Sequence, residues 1–288
     1  MIAGAPSEVS VSVSVCVSLR AVSIAAIAAT VSVSLSAQWP LHPAAGAPRT
    51  PNGEVDLSAP APRTTDGTPD LSGLWETIRT GTTQPIVGTD SGPLGRTSPF
   101  WNVGTGLEGG LPLRPWAREL RAQRVADDSK DNPDAHCLPI GITQLHNHPQ
   151  PRKIVQTPAV IILLYEANGG VRQIFLDGRS LPDNDPQPWW YGYSIGKWDG
   201  DTLVVTSSGF RDEGWLDVNG APLTDEATIT ERFRRVDYGH LEIDVTVDDP
   251  KAYTRPWTAL TIRQQLMPDD ELIEFVCQEN ERSTEHFQ

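Results

Sequence analysis

The sequence predicts a mainly β protein: an antiparallel meander that closes into a β-barrel, with one short helix and a Pro-rich N-terminal arm. Three observations carry this. From Lys153 onward, apolar-polar runs are separated by turn signals such as Asn168-Gly169-Gly170 and Asp199-Gly200, which supply the positive φ angles of tight hairpins. One hairpin places opposite charges across its strands on one side and apolar pairs on the other. A meander of about nine strands leaves two exposed edges unless it closes.

In chain order, "LRAVSIAAIAATVSVSLSAQWP" has Arg20, a run of small apolar residues and a small-residue exit at Ser36-Ala37. That layout predicts a secretory signal peptide over residues 1–37, with a true start near residues 17–19. The run is broken by serines and too short for a spanning helix, so no membrane span is expected. Cys16 follows Val15, not the small residue of a lipid-anchor site. Residues 38–70 read as an extended Pro-rich arm with a duplication, "APRTPNGEVDLSA" (47–59) and "APRTTDGTPDLSG" (61–73). A single barrel domain is expected over 71–288, with its first strand at "LWETIRT" (74–80) and loop over 81–115. "PWARELRAQRVADD" (115–128) is the helix, with Pro115 at its start and Trp116, Leu120 and Val125 along one face.

Four hairpins should follow. "KIVQTPAVIILLYEA" turns into "VRQIFL", "YSIGKW" into "DTLVVTS", "ATITERFRRV" into "HLEIDVTV", and "WTALTIRQQL" into "ELIEFVCQ". If the third loop is Asp237–Gly239, Arg234 pairs with Glu242 and Arg232 with Asp244 on one side. On the other side Phe233 faces Ile243, Ile229 faces Val247 and Glu231 faces Val245. Glu231 therefore points inward. It must be paired, hydrogen-bonded or raised in pKa, either as a bond to a core Tyr, Trp or Arg or in a functional role.

The second hairpin, with its turn at Asp199-Gly200, pairs Gly196 with Leu203, Ser194 with Val205 and Gly192 with Ser207, bracketed by Trp190 and Trp198. Tyr191, Tyr193, Ile195 and Lys197 take the outer side. Glycine in a strand marks close approach by another group. Over this strip, that group is a large core side chain or a ligand.

A net charge of −14 disfavours nucleic acid and anionic membrane surfaces as partners. Cys137 and Cys277, left after the signal departs, are expected to form a disulfide. His146 and His148 are two apart but flanked by prolines, with no further ligand at a suitable spacing. No metal and no organic cofactor are expected. Asp183 and Asp185 lack a calcium-loop pattern. Two long loops, around Asp177-Gly178-Arg179 and "GFRDEGWLDVNGAP", add Arg179, Asp212, Trp215 and Asp217 as candidates. Asp201, Asp212, Asp217 and Glu231 are the carboxylates available for acid/base work. No nucleophile elbow, phosphate loop, dinucleotide fingerprint or H-E-x-x-H is present.

The strings "PRTTDGTPDLSGLWE", "CLPIG", "KIVQTP", "RQIFLDGRSLP", "GYSIGKWDGDTLVV", "TERFRR" and "VTVDDPKAYTRPWT" resemble a family of secreted proteins common in acidobacteria and other soil bacteria. The resemblance covers most of the chain past the signal and implies export, without implying an activity. The chain departs from it at Ile142-Thr143, where relatives carry Pro-Arg, and at Gly220–Thr224, where they carry G-H-P-H-S. Gly73-Leu74-Trp75 resembles the G-x-W of lipocalins, which agrees with a lipocalin-like barrel.

The expected function is that of an exported barrel protein binding a small aromatic, terpenoid or glycoside molecule. Trp190, Trp198, Gly192, Ser194, Gly196, Trp215 and Arg179 would line its pocket. Two alternatives stand beside it: a cofactor-independent lyase, isomerase or hydrolase on the same barrel, and a cell-surface structural or interaction protein.

Overall fold

A computed structural model describes residues 43–78, 98–182 and 187–277. The signal segment, the start of the arm, residues 79–97, and Asp183 and Asp185 lie outside the described residues. The strands are β1 (Gly73–Thr77), β2 (Arg152–Gln156), β3 (Val160–Tyr165), β4 (Val171–Phe175), β5 (Tyr193–Asp199), β6 (Thr202–Ser208), β7 (Gly214–Trp215), β8 (Pro222–Leu223), β9 (Thr228–Arg235), β10 (His240–Asp248), β11 (Trp257–Thr258) and β12 (Ile262–Leu266). The helices are α1 (Pro115–Ala126) and α2 (Ile142–Asn147).

Nine strands close into a barrel in the order β1-β2-β3-β4-β5-β6-β9-β10-β12, with β12 returning to β1. Every pairing in this ring is antiparallel except β4–β5. The expected, mostly antiparallel barrel is present, and its one parallel step, β4–β5, replaces an antiparallel step of the expected meander. The chain leaves β4 at one end, which we call the lower, and re-enters β5 at the upper end, so the connection 176–192 spans the barrel's height.

The expected strand count arises from different strands. "KIVQTPAVIILLYEA" is two strands, because Thr157 turns the chain: its amide donates to the Val160 carbonyl at 3.0 Å and its hydroxyl accepts from the Val160 amide at 3.1 Å. "ELIEFVC" forms no strand. Both edges of β12 are already taken, by β1 and β10, so nothing is left for it to pair with. Its last residue, Cys277, is disulfide-bonded to Cys137, as expected.

The β9–β10 register is the predicted one throughout, from Arg235↔Leu241 to Ile229↔Val247. Arg234 forms its ion pair with Glu242, whereas Arg232 reaches Asp199 at 3.1 Å instead of Asp244. Such exposed pairs contribute about 0–1 kcal/mol. In the β5–β6 hairpin the turn is Gly200-Asp201, so Gly196 pairs with Val205 and Ser194 with Ser207. The predicted partners shift by two residues, which keeps every side chain on its face. Tyr191 is a correction. It is buried, because Gly192 at φ +65° breaks the strand alternation and β5 begins only at Tyr193.

The two copies of the duplicated arm fold alike. In each, an arginine (Arg49 or Arg63) donates to a carbonyl four residues on (Gly53 or Gly67) and pairs with an aspartate at the lower end, Asp269 or Asp201. The arm also hydrogen-bonds the β9–β10 turn: the Gly239 and Tyr238 amides donate to the Leu57 and Ala59 carbonyls, both at 2.7 Å. The lower end of the barrel is therefore covered. Beneath it Trp75 is fully buried, with the Arg235 guanidinium 4.9 Å from its ring centre.

The upper end is covered by α2 and by the loops carrying α1, β7–β8 and β11. Helix α1 lies where predicted but turns a different face inward. Ala117 is buried and Trp116 is 41% exposed. Arg121 and Arg124 share the inner face because Asp217 and the Gly220 carbonyl accept from them, at 3.3 and 2.9 Å.

Candidate functional site

The predicted room over the β5 strip is occupied by protein. A Cβ on Gly192 would meet the Phe210 ring at 2.6 Å, and one on Gly196 would meet Leu176 at 2.7 Å and Ile174 at 2.9 Å. Between them the Ser194 hydroxyl accepts from Arg172 Nε at 3.2 Å. Trp190 and Trp198 are partly buried against the core, and Trp190 has the Arg211 guanidinium 4.9 Å from its ring centre. The strip is wall packing, and glycine is required there by neighbouring core side chains. Gly192→Ala should therefore cost about 1–3 kcal/mol, from overpacking against Phe210 and from the positive φ. Urea unfolding measures it, and the cost should shrink when Phe210 is also truncated.

Above this wall lies a closed polar layer. Period-two alternation turns Arg152 of β2, Tyr165 of β3, Arg172 of β4, Ser194 of β5, Ser207 of β6, Glu231 of β9 and Gln264 of β12 into the barrel, and all are buried. Helix α2 adds His146. It can approach because Gly141, just before it, packs on the Trp215 carbonyl, with room for no side chain, and donates to that carbonyl at 3.0 Å.

Glu231 takes both terminal nitrogens of Arg172, one at 2.9 Å, and accepts from or shares a proton with His146 Nε2 at 2.7 Å. Arg172 also reaches Ser207 Oγ at 2.9 Å. Burial alone would raise the Glu231 pKa, but the Arg172 guanidinium and the His146 hydrogen bond outweigh it and bring it down to about 2. Glu231 is thus a fixed anion at neutral pH, not a proton donor. Burial lowers the His146 pKa, so a neutral ring donates from Nε2 and leaves Nδ1 as an acceptor with no partner among the described residues.

The other candidates separate. Asp201 is exposed on the β5–β6 turn and is paired with Arg63. Asp217 is buried and accepts from the Val103 and Ala221 amides at 2.9 and 2.8 Å; burial raises its pKa, and its role is to tie the upper loops together. Arg179 lies on the outer surface against Asp177, Tyr193 and Phe175. Trp215 is buried beneath Arg124, whose guanidinium is 4.2 Å from its ring centre. His148 points to Asp134 at 3.6 Å, away from His146. No group of three metal-ligating side chains occurs among the described residues.

Asp212 lies on the rim of a half-open cleft of about 370 Å³ at the upper end. Trp116 and Leu120 of α1 form one wall, Gly214, Pro222 and Leu223 the other, and Arg124, Thr224 and Lys251 add polar groups. Lys251 bridges Asp212 and Asp225 at 2.9 and 2.7 Å, and its carbonyl accepts from the Trp116 indole at 2.9 Å.

Sequence reasoning missed Arg172, Arg152, Tyr165 and the cleft wall on α1. The first three carried a signal: each shares a strand face with inward aliphatic residues, Ile174, Ile154 and Leu163, just as Glu231 does with Ile229 and Phe233. Comparison with protein-family models, curated proteins and solved structures finds no match.

Proposed function

We propose that this is an exported β-barrel protein that binds a small organic molecule, and that the molecule sits in the upper-end cleft and not in the lumen. The cleft carries this reading. It combines apolar walls from Trp116, Leu120 and Leu223 with charged groups, Lys251 and Arg124, able to fix a polar substituent. The lumen, by contrast, is filled over Gly192, Ser194 and Gly196 by Phe210, Arg172 and Leu176. An aromatic or terpenoid body against Trp116, with an oxygen function toward Lys251, matches these walls. Export is supported by the layout of residues 1–37 and by the Cys137–Cys277 disulfide.

The test is calorimetric titration of the disulfide-linked chain with a panel of aromatic, terpenoid and glycoside compounds. For a compound that binds, Trp116→Ala should weaken affinity about 10-fold or more, as for an aromatic anchor that the ligand covers. Trp198→Ala should leave affinity within about twofold, since additivity holds for groups that do not touch the ligand. Binding lost in Trp198→Ala and kept in Trp116→Ala would return the ligand to the lumen.

A further inference from the structure

Among the described residues, the closed polar layer carries a positive charge that no carboxylate inside it balances. Arg172 is matched by Glu231. Arg152 is fully buried and paired with no carboxylate among the described residues: its terminal nitrogens donate to the His146 carbonyl at 2.7 Å, the His148 carbonyl at 2.8 Å, the Gln150 carbonyl at 3.0 Å and Thr77 Oγ1 at 2.9 Å. All four acceptors are neutral. The carboxylate whose charge acts on it is Glu76, on the opposite face of β1 from Trp75. His146 can only add to the surplus. A buried cation without a counter-charge is costly, and proteins generally pair such groups.

Two buried donors of this layer lack an acceptor for their protons. Arg152 Nε and the Tyr165 hydroxyl find no acceptor among the described residues. The two residues are direct cross-strand partners on β2 and β3, with both side chains inside the barrel. The Tyr165 hydroxyl oxygen accepts from Arg172 and feels the charges of Arg172, Glu231 and Arg152 together, so it sits amid them with its own proton unplaced. Arg235, the buried arginine at the lower end, behaves differently: its Nε donates to the Asp237 carbonyl at 3.2 Å and its other nitrogens reach the Asp70, Ser72 and Tyr238 carbonyls. An orphaned Nε is therefore particular to Arg152 within this pair.

We propose that the upper interior of the barrel binds a small monoanion, between chloride and acetate in size, held by Arg152 Nε and the Tyr165 hydroxyl. One negative charge cancels the surplus, and one acceptor atom, or the two oxygens of a carboxylate, takes both idle donors. This site is independent of the upper-end cleft, which neither Arg152 nor Tyr165 lines. The anion acts as a structural ligand that completes the core.

Thermal unfolding reads the linkage, since unfolding releases an enclosed ion regardless of access in the native state. The disulfide-linked chain is unfolded in sodium chloride, formate or acetate, with sodium gluconate holding ionic strength constant. A bound anion raises the melting temperature by about 3–5 °C per tenfold increase above its dissociation constant. Chloride active alone identifies a halide site; formate or acetate active identifies a carboxylate site, and both support the proposal. Tyr165→Phe removes one oxygen and keeps the packing. It should abolish most of the anion dependence, because the donor that meets the anion is gone. Lys251→Gln, at the cleft, should keep the full dependence. A melting temperature that ignores all three anions at constant ionic strength, or equal anion dependence in wild type and Tyr165→Phe, overturns the proposal and leaves these donors to water.

Discussion

Glu231→Gln is expected to destabilise the protein by about 3–5 kcal/mol, because it leaves the Arg172 guanidinium buried without its counter-charge. Urea unfolding midpoints at pH 7 provide the measurement. Replacing both partners by apolar residues of similar volume, Arg172→Met with Glu231→Leu, should recover a substantial part of that loss. Equal loss in the single and double variants would mean that Glu231 acts through His146 and the serines instead. The same pair sets an acid limit. The Glu231 pKa falls from 4.5 to about 2 on folding, so the unfolded chain binds more protons between these values. The stabilisation is fully present above about pH 4.5 and is lost as pH falls toward 2. His146 acts in the same direction at higher pH. Its pKa is lowered by burial, so stability begins to fall once pH drops below its ordinary value of 6.5. Asp217, raised by burial, opposes both and gains stability as it protonates.

Removing the Cys137–Cys277 disulfide should have an effect of similar size. The bond joins residues 140 apart, and the chain-entropy model gives about 5 kcal/mol for a loop of that length. Residues 271–277 make no strand, so the bond is the main tether of this segment, in which Ile273, Phe275 and Val276 are exposed. The Cys137→Ala/Cys277→Ala variant should therefore lose about 4–5 kcal/mol in urea unfolding. It should also become susceptible to limited proteolysis within 271–277 before global unfolding. An unchanged midpoint with unchanged protection would show that noncovalent packing holds the segment.

The fold was legible where the deciding interactions are local. The β9–β10 register could be read because Arg234 and Glu242 are brought opposite each other by one short turn, and a one-residue slip would have exposed Ile229 and Phe233. The same hairpin placed Glu231 inside. In the β5–β6 hairpin, choosing Asp199-Gly200 over Gly200-Asp201 moved the partners by two but preserved the faces, since alternation has a period of two. The parallel β4–β5 pairing was not legible, because nothing within either strand records the direction in which the 176–192 connection returns. Nor was α2, six residues long and followed by Pro149, where a helical period has too few turns to register.

The sequence by itself determined the alternation, the β9–β10 turn, the cysteine pair and the inward glutamate. These depend on residues near one another in the chain, or on a count that leaves one choice. Only the tertiary structure decided what meets that glutamate and what fills the aromatic strip. Arg172 lies 59 residues from Glu231 and His146 lies 85, and both arrive through barrel closure and the seating of α2. The space over Gly192 and Gly196 could have held a ligand or a core side chain, since glycine admits either. Closure brought Phe210, Ile174 and Leu176 into it and moved the open surface outward, to the cleft beneath α1.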